Sequence, residues 1–476
     1  MTVDISSKRH PVSRRAFLFN GIAATAVLMA GATASRALAD PQSTNFSAWN
    51  KVQQMAPTIT YVAKGRNVPP MLHSMSEALL QDAIARYEII ASRGGWQPLP
   101  AGQKISKGGQ GPLVAMLRDR LALEGYVTPP TGNPMVYDQG LANAVLRYQQ
   151  NHGLLATGNV DAATIDALNV PVEARLQTMR VNLPRIREYA KGLSGRYITI
   201  NIPATQLETV EDGQVYSVHN VVVGMTDRPS PVVLSRASDV TFNPYWIAPA
   251  SIVKKDIIPK AQKDPSFLIE QRIRIYDGLG GPEIDPRSID WYNLSPERYV
   301  FRQDPGDDNA MATVRINFPN SHAVFMHDTP NRTLFSAEQR YFSSGCVRID
   351  QVHIVTEWLL RSVPGWDRSR IEQVIASGEN TKVEVADKPL VRMVYLTAWA
   401  LPDGTVNFRP DVYQLDGTGF IVGQPEPIGG QVAHLEPQHS PAPAQPVARN
   451  QGGPAAPANG GVTSARDAWA RSRNQY

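Results

Sequence analysis

Cysteine is almost absent from this chain of 476 residues, which contains only Cys346. A single cysteine excludes an intramolecular disulfide and argues against a cysteine-based zinc site. A lone thiol can be a buried small hydrophobic group, a surface remnant or a nucleophile, because its surroundings set its reactivity. The residues around Cys346 therefore have to show whether it is a packing residue or a nucleophile.

The chain has one pronounced apolar run, near its N-terminus, at residues 17–34. Four basic residues between positions 8 and 15 precede it, and Ala-Leu-Ala follows at 37–39. This arrangement predicts a secretory signal peptide at residues 1–39, and "SRRAFL" at 13–18 resembles a twin-arginine export signal. The alternative is an uncleaved membrane anchor, but the run is short and rich in Ala and Gly. We expect export to the periplasm and no integral membrane segment after cleavage.

An excess of charge of one sign is also missing once the predicted signal peptide is set aside. Residues 1–39 carry five Lys or Arg and one acidic residue, which leaves 42 basic and 42 acidic residues in the rest of the chain. Net charge therefore gives no support to a nucleic-acid or anionic-membrane partner. The hydrophobic content of 42% and the charged content of 19% are typical of a folded soluble protein. The length is sufficient for two or three domains.

Helical periodicity dominates the first half of the sequence. We predict a helical scaffold region at 40–107, a compact three-helix module at 108–170 and a helical connector at 171–192. In the module, apolar residues repeat at the spacing of one buried helix face, as at Leu113, Met116, Leu117 and Leu121. Whether this module follows the scaffold or is inserted within it stays open.

The second half of the sequence is predicted to be rich in strands. "RYITINIP" alternates apolar and polar residues, and similar segments recur up to "VRMVYLTAW". We predict a mostly β domain at 193–421. A polar insertion at about 251–299 is predicted to be helical and to act as a lid or binding loop. Residues 422–476 are rich in Pro, Ala and Gln and are predicted to be a disordered tail, dispensable for catalysis.

The sequence near Cys346 contains the groups that a cysteine nucleophile requires. A thiolate needs a base or a positive field, and the attacked carbonyl needs N–H donors for its oxyanion. His327 follows an apolar strand at 323–326, 19 residues before the cysteine, and Ser-Ser-Gly at 343–345 can form a tight turn. Taken alone, this pair fits either packing or catalysis.

The combination of "HDT" with "SSGCVR" resembles the YkuD-type catalytic domain of L,D-transpeptidases. "NVVVG", "VTFNPYWIAPASIVKKDIIPK" and "LTAWALPDGTVNFRPDVY" extend the likeness to the large, YcbB-like members. Residues 108–170 resemble a peptidoglycan-binding domain in "LRDRLALEGY", "ANAVLRYQQNHGL" and "TGNVDAATIDALN". The resemblance implies an α+β protein: a mostly β catalytic domain, a YkuD-like β-sandwich, with a helical lid insertion, a small three-helix peptidoglycan-binding domain and a helical scaffold.

The resemblance also assigns roles to particular residues. It implies that Cys346 is the nucleophile, that His327 is the general base and acid, and that only the main-chain carbonyl of Asp328 orients His327. The main-chain N–H groups of Gly345 and Cys346, with Ser344 as a further candidate, would form the oxyanion hole. Many smaller relatives have histidine where this chain has Ser344, so a second histidine role is absent here. Candidate substrate-binding residues, each with a structural role as the alternative, are Arg348, His322, Tyr245 and Trp246.

The implied substrates are the stem peptides of peptidoglycan, as donor and as acceptor. The expected reaction forms 3→3 cross-links through a cysteine thioester, without a metal or organic cofactor, in cell-wall biogenesis. Carbapenem-type β-lactams are expected to acylate the same thiol. Within the class, the alternatives are an L,D-carboxypeptidase and a transpeptidase that anchors a lipoprotein. The alternative outside the class is a non-catalytic wall-binding scaffold.

Overall fold

The structure is a computed structural model that describes residues 60–63, 68–126 and 132–417. The predicted signal peptide, the first part of the predicted scaffold and the predicted tail at 422–476 lie outside these ranges. No helix in the described ranges is both long and apolar enough to span a bilayer.

Helices dominate the described chain up to residue 189, and strands dominate it afterwards. The helices are α1 (Ser76–Ser92), α2 (Pro112–Leu123), α3 (Gln139–Asn151), α4 (Ala162–Leu168), α5 (Val172–Tyr189), α6 (Ala250–Ile252), α7 (Ile258–Ala261), α8 (Ser266–Glu270), α9 (Val352–Leu360) and α10 (Arg368–Ser377). A π-helix (Val253–Ile257) joins α6 to α7, and 3₁₀ helices cover Pro286–Ser288 and Arg332–Ser336.

The strands fall into three sheets. They are β1 (Tyr61–Val62), β2 (Tyr197–Asn201), β3 (Gln206–Glu211), β4 (Gln214–Gly224), β5 (Val233–Arg236), β6 (Asp239–Phe242), β7 (Trp246–Ile247), β8 (Ile273–Tyr276), β9 (Glu283–Ile284), β10 (Val300–Gln303), β11 (Val314–Asn317), β12 (Met326–His327), β13 (Tyr341–Ser343), β14 (Val347–Ile349), β15 (Thr381–Glu384), β16 (Leu390–Val394), β17 (Ala398–Ala400) and β18 (Val406–Phe408).

The helical half contains two separate cores. Helices α1 and α5 pack together and share one apolar cluster with the β17–β18 hairpin. Helices α2, α3 and α4, which lie between α1 and α5 in the chain, form a second cluster. The three-helix module is therefore inserted within the scaffold, and the segment predicted as a connector, α5, belongs to the scaffold core. Asp138 and Asp161 cap α3 and α4, each accepting a main-chain N–H three residues later.

The main sheet curls around β4, its longest strand. The strands lie in the order β15-β6-β11-β12-β14-β4-β3-β2-β16-β5, while β1 and β13 also pair with β4. Alternate residues of these strands face an apolar core that α9 and α10 help to cover, with Trp358 and Phe242 among its largest side chains. The predicted mixture of helices and a mostly β catalytic region is confirmed.

The insertion between β6 and β11 has a core of its own. It is helical from α6 to α8, as predicted, and Trp291 and Phe301 lie in its apolar cluster. The rest of the insertion contains a four-stranded sheet in the order β7-β10-β8-β9, which the sequence did not predict. Its strands have two to four residues, too few for alternation to distinguish them from loops.

Candidate active site

The cysteine turn, residues 343–346, passes over the end of β4. β13 pairs with β4 through Ser343 and Gly224, while β14 pairs with it through Arg348 and Val222. The main-chain bonds on these two sides come from alternate residues of β4, so β13 and β14 lie along opposite edges of this strand. The turn has to connect them within three residues, 344 to 346. Gly345 makes this possible with a φ of +113°, a value that residues with a side chain rarely adopt.

The imidazole of His327 lies on the strand next to the one that follows Cys346. The parallel pairing of β12 with β14 sets Met326 opposite Val347 and His327 opposite Arg348. Met326 and Val347 are fully buried in the core. Because side chains alternate along strands, His327 and Arg348 point away from that core together. Cys346 is half-buried and also contacts the core. It immediately precedes β14, two residues before Arg348, which is the direct partner of His327.

Main-chain contacts fix the tautomer of His327. Its Nδ1–H donates to the carbonyl oxygen of Asp328 at 2.6 Å, which leaves Nε2 as the acceptor nitrogen. Burial lowers the pKa of His327 to about 3, and the charges of Arg348 and Arg315 act in the same direction. The imidazole is therefore neutral at physiological pH and can accept a proton.

The carboxylate of Asp328 is directed away from the imidazole. It accepts from the hydroxyl of Thr313, from the N–H of Thr329 at 2.8 Å and from Arg332 at 2.9 Å. Asp328 therefore contacts His327 through its main chain, and its side chain ties the strand end to its neighbours. The group that orients His327 is thus the carbonyl of Asp328 and not its carboxylate.

Burial raises the pKa of the Cys346 thiol. A main-chain hydrogen bond from Phe325 and the charges of Arg348 and Arg315 act in the opposite direction. Because the pKa of the thiol is raised while that of the imidazole is lowered, the resting pair is a neutral thiol beside a neutral base.

The predicted oxyanion donors differ in their availability. The Gly345 N–H donates to the hydroxyl of Ser343 at 3.2 Å, and that hydroxyl donates to the carbonyl of Cys346 at 2.6 Å. An oxyanion role for Gly345 therefore requires this bond to break or to be shared. The hydroxyl of Ser344 accepts from Arg228 at 3.0 Å, a contact that the sequence did not indicate.

Of the predicted substrate residues, only Arg348 lies on the strands that carry His327 and follow Cys346. Arg348 lies opposite His327, two residues after Cys346. Tyr245 and Trp246 belong to the edge of the insertion, where β7 pairs with β10, and they are not on the catalytic strands. Tyr245 is 42% exposed and lies under the guanidinium of Arg302. His322 is exposed in the loop before β12, and its main-chain N–H donates to Asn320.

Sequence reasoning missed Arg315. It lies on β11 directly opposite His327 and therefore on the same face as the imidazole. Its guanidinium also covers the ring of Phe325 at 4.8 Å from the centroid. The alternation in "VRIN" could have shown that Arg315 points away from the core, but not that His327 would be its partner.

The other buried histidines near the site have structural partners. His219 contacts the carbonyl of Asp350 and the hydroxyl of Ser217, each at 2.8 Å, and burial lowers its pKa to about 4. His353 contacts the hydroxyl of Thr313 at 2.8 Å. In the described ranges, no group of three or more His, Cys, Asp or Glu side chains is arranged to hold a metal ion.

A support loop, residues 225–230, holds the cysteine turn from the other side. The N–H of Met225 donates to the carbonyl of Ser343 at 2.9 Å, and the hydroxyl of Ser230 donates to the carbonyl of Gly345 at 2.8 Å. The same hydroxyl accepts from the N–H of Gly224 at 2.9 Å. A side chain at Gly224 would clash with the support loop, since its Cβ would lie 2.3 Å from the carbonyl oxygen of Arg228.

Comparison with known proteins agrees with this site. Residues 195–385 match the YkuD family, described as the L,D-transpeptidase catalytic domain. Residues 110–168 match the family described as "Putative peptidoglycan binding domain". The first match contains His327, Cys346 and the insertion, and the second contains α2, α3 and α4.

Individual relatives were also found. A protein of Haemophilus influenzae with the name "Putative L,D-transpeptidase" is 35% identical over 241 residues, which cover 50% of this chain and 48% of that protein. The chain thus spans about half the length of the curated relative that it matches. An L,D-transpeptidase structure from Xylanimonas cellulosilytica is 16% identical, covering 62% of this chain and 100% of its own, with a TM-score of 0.19. One from Stackebrandtia nassauensis is 14% identical, covering 62% and 96%, with a TM-score of 0.22. Residues 195–385 of this chain are therefore similar to the L,D-transpeptidase catalytic domain, and residues 110–168 are similar to a peptidoglycan-binding domain.

Proposed function

We propose that this protein is a periplasmic L,D-transpeptidase that forms 3→3 cross-links between peptidoglycan stem peptides through a thioester on Cys346. The observation that carries the proposal is the shared face of β12 and β14. There the imidazole, whose Nδ1 is held by the Asp328 carbonyl, lies opposite Arg348, and the thiol is two residues before Arg348 in the chain. Nucleophilic catalysis by cysteine requires such a pair, with the base oriented by a third group. The family matches supply the substrate class.

The first half-reaction transfers the donor to the enzyme. The Cys346 sulfur attacks the carbonyl that links the third residue of a tetrapeptide stem to its terminal D-Ala, while Nε2 of His327 takes the thiol proton. The C–S bond forms, the C–N bond breaks, and the imidazolium gives its proton to the departing amine of D-Ala. Main-chain N–H groups of the cysteine turn stabilise the oxyanion between these events.

The second half-reaction returns the enzyme to its starting state. The side-chain amine of an acceptor stem attacks the thioester, the new amide bond forms, and the C–S bond breaks. The proton released by the amine returns to the sulfur through His327. Bond types are exchanged without net oxidation, so the chemistry needs no cofactor.

The neutral resting pair makes proton transfer part of the attack. A general base works best with a pKa near the working pH, so the bound donor has to bring the pKa values of the thiol and the imidazole closer together. Arg348 and Arg315 favour the negative charge that develops on sulfur during attack, because both lie on the same face. We also propose that carbapenem-type β-lactams acylate Cys346, since their ring carbonyl would meet the same nucleophile.

The test is product analysis with a purified disaccharide-tetrapeptide. The proposal predicts cross-linked dimers and released D-Ala from the wild-type protein, and neither from Cys346→Ala. Trimmed tripeptides without dimers would identify water as the acceptor and replace the proposal with an L,D-carboxypeptidase. Products formed only with a lipoprotein lysine would identify an anchoring enzyme. No turnover, with sacculus binding retained, would identify a wall-binding scaffold.

A further inference from the structure

Arg228 of the support loop lies between the insertion and the cysteine turn. Its Nη1 and Nη2 donate to the two carboxylate oxygens of Asp256 at 2.7 and 2.9 Å. The same Nη1 donates to the hydroxyl of Ser344 at 3.0 Å. A guanidinium is suited to this task, because its planar fork can hold a carboxylate with two bonds while one nitrogen reaches a second acceptor.

The Arg228–Asp256 pair is shielded from solvent. The side chain of Arg228 is 9% exposed and that of Asp256 is 8% exposed. Breaking such a pair by removing one partner costs much more than breaking an exposed one, because a buried charge is left without compensation. Asp227 also approaches Arg228, at 3.7 Å from its Nε, but that carboxylate is 58% exposed and contributes little.

Asp256 is fixed by the architecture of the insertion. It belongs to the π-helix between α6 and α7, and its neighbours Val253 and Ile257 are buried in the core of the insertion. A π-helical turn inside an α-helical segment is uncommon and frequently occurs at functional sites. Here the extra residue in the turn directs a carboxylate toward the support loop. The position of Arg228 therefore depends on the position of the π-helix that carries Asp256.

We propose that Arg228 is a positioning residue that couples the insertion to the nucleophile, with Asp256 holding its guanidinium against Ser344 so that the cysteine turn keeps its reactive geometry. The inference rests on the proposed function, in which Cys346 is the nucleophile. In this proposal the insertion does more than act as the predicted lid, because its displacement would release the cysteine turn. Misplacement of a reacting group by about 1 Å can lower a rate about 10²-fold.

Position, and not charge, is the property that Arg228 supplies. Arg348 and Arg315 act on the pKa of Cys346, whereas the charge of Arg228 is balanced by its two bonds to the carboxylate of Asp256. Loss of the Arg228 contacts should therefore slow acylation without moving the pH at which the thiol reacts. A residue that merely stabilised the fold would change neither quantity in the folded protein.

The experiment measures acylation of Cys346 by a carbapenem at saturating concentration, by time-resolved intact-mass spectrometry. The variants are Asp256→Asn, Ser344→Ala and the double variant. Each single change should slow acylation at least about 10-fold, and the double variant should be no slower than the slower single variant. Arg228→Lys, which keeps the charge but loses the fork, should also be slow. The pH dependence should match that of the wild type in all four.

Asp277→Asn is the matched control. Asp277 also accepts two bonds from an arginine of the insertion, Arg298, at 2.9 Å each, but this pair is exposed and does not reach the cysteine turn. We expect wild-type acylation from it. Melting temperatures identify variants that fail to fold. If Asp256→Asn does not fold, the two single variants Ser344→Ala and Arg228→Lys still test the proposal.

Two results would overturn the inference. Additive effects of Asp256→Asn and Ser344→Ala would show that the two residues act independently, and wild-type rates in the single variants would show that neither positions the nucleophile. In both cases the wild-type protein still forms its adduct, so the proposed function stands. Absence of any adduct on the wild-type protein would overturn the proposed function, and the inference with it.

Discussion

His327 and Cys346 have pKa values displaced in opposite directions. Burial acts on both groups, and it disfavours the charged form of each. An imidazolium–thiolate pair, which would be reactive before substrate arrives, is therefore not the resting state. The chemistry at these two residues depends on a substrate that excludes water and receives the attack.

The resting state predicts how alkylation of the thiol depends on pH. Since the thiolate is the form that reacts with iodoacetamide and burial raises the pKa of Cys346, the alkylation rate should keep rising through the range above about pH 8.5. Every adduct reports this position, because the chain has no second cysteine. An alkylation rate that was constant between pH 5 and pH 8 would indicate a preformed thiolate–imidazolium pair and would contradict a neutral resting thiol.

Asp328 allows a second test at the scale of one residue. Its carboxylate binds Thr313, Thr329 and Arg332, and its carbonyl holds His327. Asp328→Asn keeps the carbonyl, so the acylation rate of the folded variant should stay within a few-fold of the wild type, whereas its melting temperature should fall by a few degrees. His327→Ala provides the contrast, with an expected loss of about 10²- to 10⁴-fold. A loss of that size in Asp328→Asn would establish a side-chain triad.

Among the elements, the cysteine turn depends on one backbone conformation. Gly345 has a φ of +113°, so an added side chain would be strained even though the nearest atom, the carbonyl oxygen of Pro229, would be 3.5 Å from its Cβ. We predict that Gly345→Ala destabilises the protein by about 1–3 kcal/mol and also slows acylation at least about 10-fold. Denaturant unfolding and adduct formation measure the two effects.

Gly378→Ala is the control for backbone strain. Gly378 ends α10 with a φ of +71° and open space around it, far along the chain from the cysteine turn. The substitution should lower stability by about 1 kcal/mol and leave acylation unchanged. Equal acylation rates in Gly345→Ala and Gly378→Ala would show that the turn tolerates other conformations and that its geometry does not matter.

The elements also show what the sequence could and could not predict. Local signals identified the helices of the module and the position of His327 at a strand end, although β12 begins only at Met326. Long-range contacts left no local pattern. Ser344 and Arg228 are 116 residues apart, and Arg228 and Asp256 are 28 apart, so no periodicity records their contact. The short strands of the insertion were missed for a related reason, since pairing and not alternation defines them.

At the scale of the whole molecule, an arginine of the catalytic half caps a helix of the module. Arg409, just after β18, donates to the carbonyls of Asn151 and Gln150 at 2.6 and 3.3 Å, at the C-terminus of α3. A cation is favoured there by the unsatisfied carbonyls and the helix dipole. The stacking of His152 on Phe408 extends the same junction. These contacts fix the proposed wall-binding module to the hairpin next to the main sheet.

Removing the Arg409 side chain should loosen this junction. In Arg409→Ala, hydrogen exchange should increase in the last turn of α3 and in the β17–β18 hairpin, because the last carbonyls of α3 lose a charged donor whose bond to Asn151 is partly buried. Arg147→Ala is the control, since Arg147 crosses the same junction to Asp403 in an exposed pair at 3.6 Å. Unchanged exchange in Arg409→Ala would mean that apolar packing alone joins the two parts.

The central claim is that Cys346 carries the acyl group. Intact-mass spectrometry of the protein after incubation with a disaccharide-tetrapeptide tests it most directly. The wild-type protein should gain the mass of the donor less that of D-Ala, hydroxylamine should remove the adduct as it does a thioester, and Cys346→Ala should gain no mass. An adduct of equal yield on Cys346→Ala would contradict the claim.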